Sequence, residues 1–256
     1  SIATDPLFYS AVNLHVTGLA LRNTAEKLAE VTNDFDLEIR NDAPDIGADE
    51  FIANTIAYFY KTRNSGDWNS VNTWTYCATQ AGVYTNCTTQ IPIANAGGVE
   101  IMSGHTVTIS STASANNVQV DAGGTLTHNT GITFNISTNG AGWDASGKDF
   151  IVEGTYNING KAPTFASGAT AEIRSGALVK ALSNTGGESD DFAGTATFPN
   201  VLFKTGSVFE WNTSAFASSG ITYFNSGGAE KPTFRVTANV GSVGANSTTT
   251  FNGKFE

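Results

Sequence analysis

One short phrase recurs along this chain and limits what it can become. It reads hydrophobic-x-hydrophobic, one or two polar residues, glycine, then a second short strand-like run. The instances are Val99-Glu-Ile-Met-Ser-Gly104-His-Thr-Val, Val118-Gln-Val-Asp-Ala-Gly123-Gly-Thr-Leu, Ile151-Val-Glu-Gly154-Thr-Tyr, Glu172-Ile-Arg-Ser-Gly176-Ala-Leu and Leu202-Phe-Lys-Thr-Gly206-Ser-Val. The steps between these glycines are 19, 31, 22 and 30 residues. Alternation with a period of two marks strands and assigns Val118, Val120, Leu126, Ile173 and Leu178 to an inward face. Glycine between the runs supplies a corner with positive φ. A unit this short cannot bury its own apolar face, so successive units must stack. The expectation is an all-β chain folded as a right-handed parallel β-helix, a β-solenoid. The alternative is a Greek-key β-sandwich, for which Asn139-Gly140, Asn159-Gly160 and Asn252-Gly253 are available as hairpin turns.

Composition narrows the function classes. Only 14% of the 256 residues are charged, against about 25% in ordinary soluble domains, so Ser, Thr, Asn and Gly must keep the surface wet. With 13 basic against 23 acidic residues there is no basic field for a phosphate backbone, which excludes nucleic acid as a partner. No apolar run reaches the roughly 18 residues of a membrane-spanning helix. Aromatic residues at 11% are enough to build a core, which excludes disorder.

The charge is unevenly placed. Residues 1–51 hold 10 of the acidic residues and 3 of the basic ones, which predicts a module boundary near Phe51. Residues 1–51 are expected to be the last coils of one β-helix, and 52–256 a second β-helical module. The only helix-like stretch is Thr24–Glu30, with Thr24 or Asn23 as its cap. A start without Met or an export leader, and an end that reads as an unfinished strand, predict a segment of a longer processed polypeptide.

Two stretches carry a family resemblance. The first runs from Asp5-Pro6-Leu7-Phe8 through Asn13-Leu14-His15-Val16 to Asn33–Phe51 and closes on Asp45-Ile-Gly-Ala-Asp-Glu-Phe51. It resembles the closing segment of the choice-of-anchor, pectate-lyase-like β-helix repeat proteins of Bacteroidetes surfaces, although Leu37-Glu38 replaces the usual Gly-Asn. The second, Ser65-Gly-Asp-Trp68, Thr73-Trp74 and Gly104-His-Thr-Val-Thr108, is similar to the opening of a glycine-rich β-helical module in large surface proteins of the same bacteria. Together they cover residues 1–126. The resemblance implies an extracellular, cell-surface protein released by type IX secretion, and it carries over no catalytic residue.

Candidate chemistry is sparse. Cys77 and Cys87 form an even pair that encloses nine residues, which in an exported protein predicts a disulfide contributing about 2.8 kcal/mol. Asp34, Asp36, Asp45 and Asp49 are weak candidates for Ca²⁺, since the twelve-residue loop with its central glycine and closing glutamate is absent; no other cofactor is expected. Trp68 and Trp74 are expected to plug one end of the stack. Trp143, in a glycine-rich loop, is expected to be exposed and to offer a face for stacking on a sugar ring. Glu188, Asp190 and Asp191 are the one acidic triplet of the second half, the type of residue that glycoside hydrolases use in pairs. No His or Arg-x-Lys set accompanies them, so a solvated loop is favoured. His15, His105 and His128 have no base–nucleophile partner in the sequence, and His105 at a corner is expected to be structural.

The expected function is therefore non-enzymatic: a structural or adhesive segment of a large surface protein. Its expected partners are glycans, other cell-surface or secretion-system proteins, or further copies of itself. The alternative is a polysaccharide lyase or glycoside hydrolase built on the same fold.

Overall fold

Alternating Val, Ile and Thr with glycine corners does produce strands, and they pair almost entirely in parallel. The computed structural model describes residues 57–138, 143–144, 146–183, 190–193, 200–212, 216–218, 222–224, 229–237, 243–245 and 250–256, with 25–26, 28, 30–33 and 44 before them. The chain divides into Ser1–Ile56 and Ala57–Glu256. The Ca²⁺ candidates Asp34, Asp36, Asp45 and Asp49, together with Glu188, His15 and, of the Thr24–Glu30 stretch, Thr24, Lys27 and Ala29, lie outside the described residues.

In the second unit a first long sheet orders its strands as Val201–Phe203, Ala171–Ile173, Phe150–Val152, Val118–Val120, Gly98–Ile101, Phe59–Thr62, Trp74–Cys77 and Thr85–Asn86. A second long sheet orders Gly66–Asp67, Thr106–Ile109, Thr125–His128, Thr155–Asn159, Leu178–Ser183, Val208–Trp211, Thr233–Val236 and Lys254–Phe255. A third sheet holds Ala113–Ala115, Phe134–Ile136 and Thr164–Phe165, and two strand pairs follow it: Phe216–Ser218 with Val243–Ala245, and Thr222–Tyr223 with Thr250–Phe251. From Gly98 to Phe165 the chain visits the first, second and third sheets in turn, three times. The antiparallel pairs among the described residues join Phe59–Thr62 to Trp74–Cys77, and Trp74–Cys77 to Thr85–Asn86. Among the described residues the Asn-Gly pairs do not turn hairpins, and Asn139-Gly140 lies outside those residues. Asn252-Gly253, for example, links strands of two different sheets.

Register explains the recurring phrase. Val99, Val118, Phe150, Ala171 and Val201 are successive partners in the first sheet, so each repeat of the phrase is one rung of the same ladder. Gly104, Gly123, Gly176 and Gly206 all have φ between +80° and +85°, as the corners require. Gly154 does not; there the backbone of the preceding rung leaves no room for a side chain. One face assignment is corrected. Leu178 is half-buried and points outward, while Val179 is fully buried beside Tyr156 and Phe209. Two residues separate Gly123 from Leu126, but only Ala177 separates Gly176 from Leu178. The shorter corner shifts the alternation by one residue and turns Leu178 to the other face.

A line of aromatic contacts runs through the core. Trp74 meets Trp68 at 5.2 Å, Trp68 meets Phe134 at 5.3 Å, and the line continues through Phe150, Tyr156, Phe192 and Phe203 to Phe209, Phe234 and Phe255. Edge-to-face geometry dominates, as ring quadrupoles favour. Trp68 and Trp74 are fully buried, and each indole N–H donates to a backbone carbonyl, of Pro92 and Trp68 respectively.

Candidate functional site

The outer face of the first long sheet begins with a charge pair. Lys61, Glu100, Gln119, Ile151, Glu172 and Leu202 succeed one another along it. Lys61 Nζ stands 2.9 Å from Glu100 Oε2, and it also lies 4.9 Å above the Tyr84 ring. Burial pushes the Glu100 carboxyl up; Asp121 adds to that and Lys61 opposes it.

Beyond this pair opens a groove of about 440 Å³ lined by Ala122, Glu153, Glu172, Arg174, Ser175 and Lys204. Arg174 is its hub. Its Nε donates to Glu172 at 2.9 Å and its Nη1 to Glu153 at 2.7 Å, while Nη2 pairs with Asp144. Burial works against the guanidinium charge, but the hydrogen bonds to Glu153, Asp144 and Glu172 outweigh it and raise the Arg174 pKa. Partial burial likewise opposes ionisation of Asp144, yet Ser146 and Arg174 together hold its carboxyl below the usual range. At the groove's far side Lys204 Nζ donates to Glu230 at 2.8 Å. That bond and those from Thr205 draw the Glu230 pKa down to about 2. Around the groove four carboxylates, Asp144, Glu153, Glu172 and Glu230, face two cations, Arg174 and Lys204, and each is already engaged in an ion pair. This disfavours an anion and leaves polar donors and acceptors for a neutral, hydroxyl-rich ligand.

Sequence reasoning missed Arg174, although a signal was present. Glu153 and Arg174 occupy the same place in the recurring phrase, directly after its second apolar residue, so stacked repeats bring them together.

The candidates named from sequence lie elsewhere. Trp143 is only 6% exposed. Its ring packs 5.7 Å from Phe59 and lies so close over Gly98 that a Cβ there would fall 2.1 Å from it. The expectation of an exposed stacking face is corrected: the face is covered by the absence of a side chain at Gly98. Asp190 and Asp191 belong to a 3-10 turn, Asp190–Ala193. Among the described residues no group of three or more His, Cys, Asp or Glu is placed to hold a metal ion.

The disulfide is also corrected. Thr75 pairs with Asn86 and Tyr76 with Thr85, antiparallel, and Cys87 N–H donates to the Trp74 carbonyl at 3.1 Å. Cys87 therefore lies opposite Trp74, three positions from Cys77, or about 10 Å along the strand. The odd offset also turns the two side chains to opposite faces, whereas a disulfide needs Cα atoms within about 7 Å. Both thiols are free, Cys77 half-buried and Cys87 buried. Burial pushes the Cys87 thiol up to about 11, with Arg63 opposing. Alkylation at neutral pH is expected to leave Cys87 unmodified until the protein is unfolded; a linked Cys77–Cys87 peptide in non-reducing mass spectrometry would refute the strand register.

His105 sits at its corner with Nδ1 2.8 Å from Thr62 Oγ1. His128 is fully buried. Its Nε2 donates to the Ile132 carbonyl at 2.8 Å, and its Nδ1 faces the Tyr156 hydroxyl at 3.4 Å. Burial lowers its pKa below the ordinary 6.5, with the Ile132 bond opposing. The unfolded chain therefore binds this proton more readily than the folded one. Stability contributed by neutral His128 is present above pH 6.5 and is lost as the pH falls from there toward the folded-state value. The thermal midpoint should drop on acidification through this window, and His128→Gln should flatten the slope; an unchanged slope would place the titration elsewhere.

Comparison with protein-family models, curated proteins and solved structures gives no match to this chain.

Proposed function

We propose that residues 57–256 form a right-handed parallel β-helix and serve as a non-enzymatic structural and adhesive segment of a large bacterial cell-surface protein. The carrying observation is the cyclic order in which the chain visits its parallel sheets. Crossovers between parallel strands of one sheet are right-handed in about 98% of cases, and three sheets visited in rotation are the faces of a coil. A stack of such rungs is a stiff rod, stabilised by neighbour-to-neighbour contacts alone. Antiparallel strands across one edge of the first sheet, with the short exposed Thr85–Asn86 outermost, guard that edge against unwanted pairing.

The extracellular setting rests on the resemblance of Asp45–Phe51 and Ser65–Trp74 to surface proteins and on the weakly charged Thr/Asn surface; the free cysteines lend it no support. The Arg174 groove is the site we assign to glycan contact. A glycan array should show binding without turnover, reduced by Lys204→Ala, and solution scattering should report an elongated particle. Polysaccharide turnover abolished by changing Glu153, Glu172, Glu188, Asp190 or Asp191 would instead establish the lyase or hydrolase reading.

A further inference from the structure

Three consecutive strands of the second long sheet bring six side chains into two straight columns. Thr106, Thr125 and Thr155 stand side by side in one, and Thr108, Thr127 and Asn157 in the other. The residues between them, Val107, Leu126 and Tyr156, are fully buried, so the six point away from the core. Asn157 Nδ2 donates to Thr127 Oγ1 at 3.2 Å, which ties two rungs together. The hydroxyls of Thr106, Thr108, Thr125 and Thr155 meet no side-chain partner among the described residues.

Two properties select an occupant. The first is neutrality: these three rungs carry no charged side chain in either column, whereas the rungs on either side place Asp67 and Lys180 in the second. An ionic ligand would find no countercharge on the patch itself. The second is regularity. Parallel strands set the rungs about 4.8 Å apart, and alternate residues along a strand about 6.6 Å apart. Threonine is stiff at χ1, so methyls and hydroxyls repeat on a rigid two-dimensional grid. Water oxygens on the prism face of hexagonal ice repeat at two distances close to these, and that lattice is uncharged and offers both donors and acceptors. A sugar chain would be held better by an exposed aromatic face, and none of the six positions supplies one.

We propose that this threonine grid binds the prism face of ice, the methyls ordering the intervening water and the hydroxyls joining its hydrogen-bond network. The proposal is independent of the rod and of the Arg174 groove, whose readouts stand or fall separately.

The test is partition of the fluorescently labelled 256-residue chain into a slowly growing ice hemisphere. The unsubstituted chain should be incorporated, and Thr127→Lys and Thr125→Lys should each be excluded. Lys180 already occupies the column of Thr127, so the fold accommodates that side chain, and an unchanged thermal midpoint verifies it. Lys61→Ala, on the other long sheet, should be incorporated like the parent chain. Exclusion of the parent chain, or incorporation of both lysine variants, overturns the proposal. So does retention on insoluble cellulose or chitin that the lysine variants lose while ice excludes every form, which would give the face to a neutral polysaccharide.

Discussion

Phe134→Ala is expected to lower the free energy of unfolding by about 4 kcal/mol. Phe134 is fully buried, and its ring touches Trp68 at 5.3 Å, His128 at 6.0 Å and Phe150 at 6.4 Å. It therefore joins the aromatic line of the first rungs to that of the later ones. Truncation removes the transfer energy of the ring, leaves a cavity between rigid neighbours, and forfeits edge-to-face contacts of about 0.5–1.5 kcal/mol each. Little can collapse into the gap, because the flanking strands are fixed in register on both sides, to Ala113–Ala115 and to Thr164–Phe165. In a unit of this size the thermal midpoint should fall by about 12 °C. Val83, 90% exposed, is the control, and its change to alanine should stay within about 0.5 kcal/mol. A loss at Phe134 no larger than that of the control would mean the ring is not part of a continuous core.

What could be read from the sequence divides along a physical line. Features set by local backbone chemistry were legible: strands from alternation, corners from glycine, and the stacking of successive units from the repeated phrase. Features set by how far one segment lies from another in space were not. Leu178 is the exception among the inward assignments, because period-two alternation alone places it inward and the one-residue difference in corner length matters only once the rungs are aligned. Cys77 and Cys87 looked bondable because nine intervening residues say nothing of an antiparallel ladder that turns them to opposite faces. Trp143 looked exposed because its glycine-rich loop reads as surface, and only the register reveals that it lies over Gly98. Arg174 draws Asp144 and Glu153 from earlier rungs, so its site exists only once the rungs are aligned. The repeat contained that alignment for Glu153; for Asp144, held in an irregular loop, no sequence signal existed.

Gly154 supports the same argument through a single methyl group. It lacks the positive φ of the other corner glycines, so conformational freedom does not explain it. A Cβ at this position would fall 2.3 Å from the Asp121 carbonyl oxygen and 2.3 Å from that of Gly124, both in the corner of the rung below. Those oxygens belong to backbone fixed by the bonds Gly124 N–H to Asp121 O at 2.8 Å and Thr155 N–H to Gly124 O at 2.9 Å. Neither can retreat without breaking the ladder that aligns the rungs. Gly154→Ala should therefore cost about 3 kcal/mol, the upper range for overpacking. Gly104→Ala is the matched comparison. Its φ is +80°, and nothing lies within 4 Å of the added methyl, so only left-handed backbone strain of about 1–2 kcal/mol applies. Chemical denaturation of the two variants beside the parent chain tests the distinction. An equal or smaller loss at Gly154 would show that adjacent corners do not stack in contact, and the parallel-rung account of this chain would fail at the place where it is most tightly specified.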